Sequence, residues 1–68
     1  MNDEWIKVFE TTKMHQALMV QSVLKEHHIY SVLFNQQDSL YVVMGEIQVM
    51  VRAEDGFDAI NIIEAEIT

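Results

Sequence analysis

The sequence predicts a small protein of the α+β class, and three observations support this prediction. The chain has 68 residues, which suffices for one domain and is too short for two. Its residues are 50% hydrophobic and 22% charged, a balance that favours a folded chain over a disordered one. Segments with strand and helix periodicity follow one another in the order β-α-β-β-α. We therefore predict one α+β domain over residues 1–68.

The first strand and the first helix differ in the spacing of their apolar residues. Residues 5–9 alternate as in a strand, with Trp5 and Phe9 on the same side. Residues 14–27 have helical spacing, and the two threonines before them include a usable N-cap. The predicted buried face of this helix contains Ala17, Val20 and Leu24.

Two further strands and a second helix follow. Residues 29–34 are rich in β-branched and aromatic side chains. In residues 46–51 the β-branched residues 47, 49 and 51 alternate with Glu46, Gln48 and Met50. Residues 40–44 are also apolar and are compatible with an extended hairpin. Acidic residues at 54 and 55 favour the start of a helix, because the N-terminal end of the helix dipole attracts negative charge. The predicted buried face of the second helix contains Ala59, Ile60, Ile63 and Ile67.

This order of elements is a ferredoxin-like βαββα pattern without its last strand. Because the first two strands flank a helix, we expect them to run parallel to each other. We predict a three-stranded sheet with two helices on one face. That covered face is predicted to contain Ile6, Val8, Val49 and Val51.

The other face of the predicted sheet is apolar as well. A solvated sheet face is normally polar, and large apolar patches usually mark interaction surfaces. A domain of this size buries only about 60% of its unfolded surface, so we predict a homo-oligomer, with a dimer favoured. The alternative is that residues 35–45 fold over this face, or that Trp5 and Phe9 are scattered surface aromatics. The predicted oligomer face contains Trp5, Phe9, Tyr30, Val32, Phe34 and Met50.

Composition and charge exclude several classes of function. The chain has no Cys, which excludes a disulfide scaffold and every thiolate metal site. Its net charge of −7 argues against nucleic acid and against an anionic membrane surface as partners. The start of the chain has no secretory-signal pattern, and the longest apolar run is far shorter than the ~20 residues of a membrane span. We expect a soluble, cytoplasmic protein.

The histidines are the first candidates for metal binding. His15 and His27 lie about 18 Å apart on the predicted helix, which is too far to share a metal ion. His27 and His28 point in different directions, and their position at a helix C-terminus is explained by its dipole. We therefore predict no metal site and no cofactor.

No arrangement of catalytic residues is recognisable. Asp38 and Ser39 lie in a polar segment, but no G-x-S-x-G turn accompanies them and turn formation explains the pair. Gly45 and Gly56 are isolated, so no phosphate-binding loop is present. We predict that the protein is not an enzyme and has no catalytic residues. A small ligand or partner could still contact the polar groups of Asn35, Gln37, Asp38, Ser39 and Tyr41.

Several segments together resemble one short prokaryotic family. They are W-I-K-V-F-E at 5–10, I-Y-S-V-L-F-N-Q-Q-D-S-L-Y at 29–41, G-E-I-Q-V-M-V at 45–51 and E-D-G-F-D-A-I at 54–60. The family is a bacterial domain of unknown function described as a "putative prokaryotic signal transducing protein", with a fold likened to that of PII signalling proteins. The resemblance implies a small ferredoxin-like cytoplasmic domain with no established activity. It also implies a shared role for the N-x-Q-D-S-x-Y loop, here Asn35, Gln37, Asp38, Ser39 and Tyr41.

The chain departs from the family pattern at both ends of the first helix. Members often carry Asn-Pro at the helix start, where this chain has Lys13 and Met14. They often carry Asn-Gly at the helix end, where this chain has His27 and His28. Gly adopts a positive φ without strain, whereas His does so at some cost in energy. Both departures concern the boundaries of the helix.

Two functions are compatible with these observations, and an enzyme is the least favoured third. The first is a non-enzymatic regulatory or interaction module that self-associates and contacts a protein partner. It is favoured by the apolar sheet face, the acidic surface, and Leu18 and Met19 on the flanks of the first helix, where charged residues would be the ordinary choice. The alternative is a small-molecule sensor whose 35–41 loop lines a ligand pocket.

Overall fold

The computed structural model describes residues 4–35 and 46–67. The described elements confirm the predicted α+β, ferredoxin-like order β-α-β-β-α. The possible hairpin extension at 40–44 lies outside the described residues. The elements are β1 (Trp5–Thr11), α1 (Met14–Glu26), β2 (Ser31–Asn35), β3 (Ile47–Arg52), a 3₁₀ turn (Ala53–Asp55) and α2 (Gly56–Glu66).

The three strands form one sheet in the order β1-β3-β2. Both β1 and β2 pair antiparallel to β3, so they run parallel to each other as predicted, with β3 between them. Strand β3 is therefore the central strand, and β1 and β2 are the edges of the described sheet.

The core lies between the sheet and the two helices. Ile47, Val49 and Val51 are fully buried because alternate residues of the central strand all face the helices. Ile60 differs from its prediction, since it is 41% exposed, whereas Ile62 packs against the core. The buried apolar residues are Ala17, Val20, Leu24, Ile29, Ile47, Val49, Val51, Ala59 and Ile63.

A β-bulge in β1 changes the face on which Phe9 lies. Lys7 pairs with Met50, but Phe9 pairs with Val49, so Val8 is the additional residue of the bulge. Phe9 therefore lies beside the helix-facing Val49 and packs against the core. The expectation that Phe9 shares a face with Trp5 rested on strict alternation, and the bulge corrects it.

The start of α1 has no side-chain cap. Lys13 occupies the N-cap position with extended backbone angles, and its side chain makes no capping hydrogen bond. The predicted threonine cap is absent, because Lys13 occupies the N-cap position and Thr11 lies two residues before it. Its hydroxyl accepts a hydrogen bond from the Lys13 N–H at 3.1 Å and donates one to Gln16 Oε1 at 2.6 Å.

The end of α1 is a Schellman motif with a histidine in the left-handed position. The Ile29 N–H donates to the Leu24 carbonyl and the His28 N–H to the Lys25 carbonyl, both at 2.9 Å. His28 has a φ of 65°, and it is the one positive-φ residue other than glycine in the described ranges. The buried pair Leu24 and Ile29 supplies the apolar contact that accompanies this motif.

Candidate interaction face

The face of the sheet opposite the helices, which we call the open face, is formed by alternate residues of all three strands. Met50 lies between the helix-facing Val49 and Val51, so its side chain points away from the helices. Val32 and Lys7 pair with Met50 from either side and share its face. The open face contains Trp5, Lys7, Glu10, Tyr30, Val32, Phe34, Gln48, Met50 and Arg52.

An aromatic cluster occupies one end of the open face. The rings of Trp5 and Tyr30 meet edge to face, with their centroids 6.1 Å apart and the planes inclined at 64°. The Arg52 guanidinium lies 5.9 Å from the centre of the Trp5 ring, within the range of a cation–π interaction. Trp5 of β1 thus contacts Arg52 of the central strand and Tyr30, which immediately precedes β2.

The middle of the open face is a shallow apolar concavity. Its volume is about 600 Å³, and its described lining is apolar apart from Gln48. Phe34 and Tyr30 on this face are 51% and 64% exposed, respectively. Large exposed aromatic side chains of this kind are typical of an interaction surface. The concavity is lined by Trp5, Val32, Leu33, Phe34, Gln48 and Met50.

A row of charged side chains lies at the β1 side of the same face. Lys7 Nζ donates to Glu10 Oε1 at 2.8 Å, and this hydrogen bond raises the pKa of Lys7. A hydrogen bond from Glu46, followed by that from Lys7, lowers the pKa of Glu10. The hydrogen bond and negative charge of Glu10 raise the pKa of Glu46. The pKa of Glu46 thus lies above, and that of Glu10 below, the ordinary value of a glutamate.

The two layers of the domain differ in charge. Lys7 and Arg52, two of the four basic residues of the chain, lie on the open face. The helices and the 3₁₀ turn carry most of the acidic residues, so the helical layer is the more negative one. Those residues are Glu26, Glu54, Asp55, Asp58, Glu64 and Glu66.

The structure brings together most of the residues predicted for the oligomer face. Trp5 contacts Tyr30, and Val32 lies opposite Met50 with Phe34 next along the same side of β2. Phe9 is separated from them because it lies on the helix-covered face.

The loop predicted to contact a ligand or partner is described only at its first residue. Asn35 is the exposed last residue of β2 and pairs with Ile47. The remaining loop residues lie outside the described ranges: Gln37, Asp38, Ser39 and Tyr41.

Sequence reasoning missed two parts of this face. Arg52 was not assigned to it, although it lies two positions after Met50 and strand alternation places both on one side. The contact between Glu10 and Glu46 joins residues far apart in sequence, and no local pattern signals it. Such a contact is created by the pairing of β1 with β3.

The histidines are also described. His27 Nε2 lies 2.5 Å from Glu66 Oε2, which links the C-terminal ends of the two helices at the surface. Within residues 4–35 and 46–67, no group of three His, Cys, Asp or Glu residues could hold a metal ion. None of the described helices is long and apolar enough to cross a membrane.

Comparison with known proteins gives one result. The family described as "Putative prokaryotic signal transducing protein" matches residues 5–67. Neither a curated protein sequence nor a solved structure matches the chain. The family match spans both helices and all three strands.

Proposed function

Because the chain belongs to the family of putative prokaryotic signal transducing proteins, we propose that it is a non-enzymatic regulatory module. In this proposal the module self-associates through its open face and also contacts a protein partner. It acts in the cytoplasm, uses no cofactor and binds neither nucleic acid nor membrane. The single observation that carries the proposal is the apolar concavity between Trp5, Phe34 and Met50 on the face that the helices leave uncovered.

The dimensions of the domain support a second copy as the occupant of the open face. The domain measures 34 × 31 × 14 Å along its principal axes, so it is a thin, two-layered body. A standard protein interface buries about 800 Å² on each partner. A face with edges of 34 and 31 Å is large enough to supply that area.

The charge distribution also favours this face over the helical layer. Two copies of a chain with a net charge of −7 repel each other, so they should meet where acidic residues are fewest. The open face carries Lys7 and Arg52 together with Glu10 and Glu46. In a two-fold interface each copy presents the same patch to the other, so both basic and acidic groups are available for pairing across it.

The test uses two phenylalanines on opposite layers. Phe34 on the open face is 51% exposed, and Phe57 on α2 is 78% exposed. We expect the unmodified protein to sediment as a dimer at tens of micromolar, Phe34→Glu as a monomer, and Phe57→Glu as a dimer. Both substitutions add the same charge, so the comparison isolates the face. A monomeric parent protein at high micromolar concentration would refute self-association.

Trp5 supplies an independent readout of the same event. It is the one tryptophan of the chain and lines the open face. We expect its emission to shift to shorter wavelength as protein concentration rises, because association removes the ring from water. The shift should be lost in Phe34→Glu and retained in Phe57→Glu. An emission spectrum that does not change with concentration would argue against coverage of this face.

A small-molecule sensor is the second candidate function, and the size of the concavity favours it. Ligand pockets have volumes of about 300–1,000 Å³ and are mostly apolar, as is this concavity of about 600 Å³. A ligand at 100 times its dissociation constant adds about 2.7 kcal/mol to the free energy of unfolding. A metabolite panel in a thermal-shift assay separates the two functions. A stabilising compound whose effect is lost in Phe34→Ala supports the sensor, and a panel without effect supports the module.

A further inference from the structure

A second groove lies between helix α1 and the outer edge of strand β2. Its volume is about 430 Å³, and it is separate from the apolar centre of the open face. Leu18 and Ile29 provide its apolar wall, and Gln21 and Ser31 line it with polar atoms. Among the described residues, Lys25 is the one charged residue that lines it.

The outer edge of β2 presents backbone hydrogen-bonding groups to this groove. Gln21 Nε2 donates to the Ser31 carbonyl at 3.1 Å, so that carbonyl points away from β3 towards α1. In an antiparallel ladder the N–H and C=O of alternate residues point to the same side. The backbone groups of Leu33 therefore point outward as well. In the described part of the chain, no strand pairs with this edge.

The flank of α1 beside this edge carries a regular stripe of side chains. Met14, Leu18, Gln21 and Lys25 lie within about 60° of one another on a helical wheel. Leu18 is 51% exposed and Met14 is 42% exposed, although charged side chains would be the ordinary occupants of such a flank. Apolar and then basic side chains thus follow the groove towards the start of β2.

We propose that an extended segment of a partner protein binds in this groove as an added strand antiparallel to β2. Its backbone pairs with Ser31 and Leu33, and an apolar side chain packs against Leu18 and Ile29. Its C-terminal carboxylate lies beside Lys25. The proposal rests on the proposed function in one respect, namely that this module contacts a protein partner, and it names the surface and the kind of segment.

Three features argue for this occupant. Gln21 already donates to the Ser31 carbonyl, whereas the outward N–H of Ser31 and the outward N–H and C=O of Leu33 can be satisfied by another strand, which is the basis of recognition by strand addition. The connection from α1 to β2 places Lys25 near the start of β2, where an antiparallel strand ends. Lys25 is a local positive charge in a chain of net charge −7, so it favours an anionic group at that end.

The probe is an acetylated five-residue peptide of alternating Val and Thr with a free C-terminal carboxylate, compared with its C-terminally amidated form. Binding is followed through the backbone amide signals of the ¹⁵N-labelled protein. We expect the acid form to shift Ser31 and Leu33 and to slow hydrogen exchange at Leu33. We expect it to bind about threefold more tightly than the amide, in line with one exposed ion pair. Equal effects of both forms, or shifts confined to other residues, would overturn the proposal.

Three variants locate the contact. Lys25→Gln should abolish the difference between acid and amide peptides while leaving the affinity for the amide unchanged. Leu18→Asn should weaken binding of both peptides about fivefold, in line with the apolar area lost. Met19→Asn is its control, because Met19 is 48% exposed and does not line the groove. Equal weakening by Leu18→Asn and Met19→Asn would overturn the assignment.

The experiments distinguish failure of the peptide-binding proposal from failure of the proposed self-association. All three α1 variants are expected to sediment like the unmodified protein, since the open face is unchanged. A Leu18→Asn variant that becomes monomeric would show that the groove seats a second copy, which overturns the peptide proposal. A monomeric parent protein that still binds the acid peptide at Leu33 would refute self-association and support the groove.

Discussion

Phe9 lies directly opposite Val49 in the antiparallel ladder between β1 and β3. Val49 is fully buried under the helices, so Phe9 packs against the core although Trp5, four residues earlier, lies on the open face. An even separation along a regular strand would place both aromatics on one face. The bulge at Val8 shifts the register by one residue. As a result, Phe9 packs against the core, whereas Trp5 lies on the candidate interaction face.

The first prediction separates these two roles. Phe9→Ala should lower the free energy of unfolding by about 2 kcal/mol, less than for a fully buried phenylalanine because Phe9 is only partly buried. Phe34→Ala should change the stability of the dilute protein by no more than about 0.5 kcal/mol and should weaken association instead. Urea denaturation at low concentration and sedimentation at high concentration measure the two effects. Equal destabilisation by both substitutions would contradict the division.

The second prediction concerns the end of α1. His28→Gly should raise the free energy of unfolding by about 1 kcal/mol, because His28 has a φ of 65° and glycine adopts that angle without steric strain. His27→Gly is the comparison, since His27 has a φ of −97°, so that glycine there relieves no strain, adds flexibility to the unfolded chain and removes the contact with Glu66. Thermal unfolding should show opposite shifts for the two variants. A lower melting temperature for His28→Gly would argue against the strain.

The third prediction concerns the close approach of α2 to β1. Gly56 is buried, and a Cβ at this position would overlap the Cδ1 atom of Ile6. The backbone angles of Gly56 are helical, so the overlap rather than the backbone opposes an alanine. Gly56→Ala should therefore destabilise the protein, and the loss should be about 1 kcal/mol smaller in an Ile6→Val background, which lacks that atom. Chemical denaturation of the four proteins of this cycle gives the coupling directly. Additive effects would show that Ile6 is not the obstacle.

The fourth prediction is a pH dependence that comes from Glu46. Its folded-state pKa is raised by the hydrogen bond and charge of Glu10, so its contribution to stability is present below its ordinary pKa and is lost as pH rises through the raised value. Glu46→Gln keeps a hydrogen-bond donor to Glu10 at every pH. The stability of this variant relative to the parent should therefore increase as pH rises from about 4 towards neutrality.

Glu10 provides the control for this dependence. Its pKa is lowered by the hydrogen bonds from Glu46 and Lys7, so its own contribution is present above its ordinary pKa and is lost as pH falls through the lowered value. The double variant Glu10→Gln and Glu46→Gln should show neither effect. Urea denaturation across this pH range, at one protein concentration, measures all three proteins. A constant difference between Glu46→Gln and the parent would contradict the raised pKa of Glu46.

Local sequence patterns determine most of the secondary structure. The strict alternation of Ile47, Val49 and Val51 predicts a strand with one buried side, and the structure buries all three residues. The helical spacing of Ala17, Val20 and Leu24 is equally clear, and these residues are also fully buried. In both elements one face packs into the core, so the apolar residues recur along the sequence with the period of a strand or of a helix.

Sequence patterns predict only part of the candidate interaction face. Alternation along β2 predicts that Tyr30, Val32 and Phe34 share a face, and their strand lies beside Met50. The groove between α1 and β2 was not predicted, although the spacing of Leu18, Gln21 and Lys25 signals an unusual flank. To predict the groove, one must know which strand lies at the edge of the sheet, and the order of the strands along the chain does not reveal this.

The sequence by itself determined the order of elements, the α+β class and the existence of apolar area beyond what one layer of helices covers. Only the tertiary structure decided that β3 is central, that Phe9 belongs to the core, and that Glu10 meets Glu46. The physical reason is the range of the interactions. Periodicity reflects whether each position is buried, whereas strand order, register and bulges depend on backbone hydrogen bonds between segments that are distant in sequence.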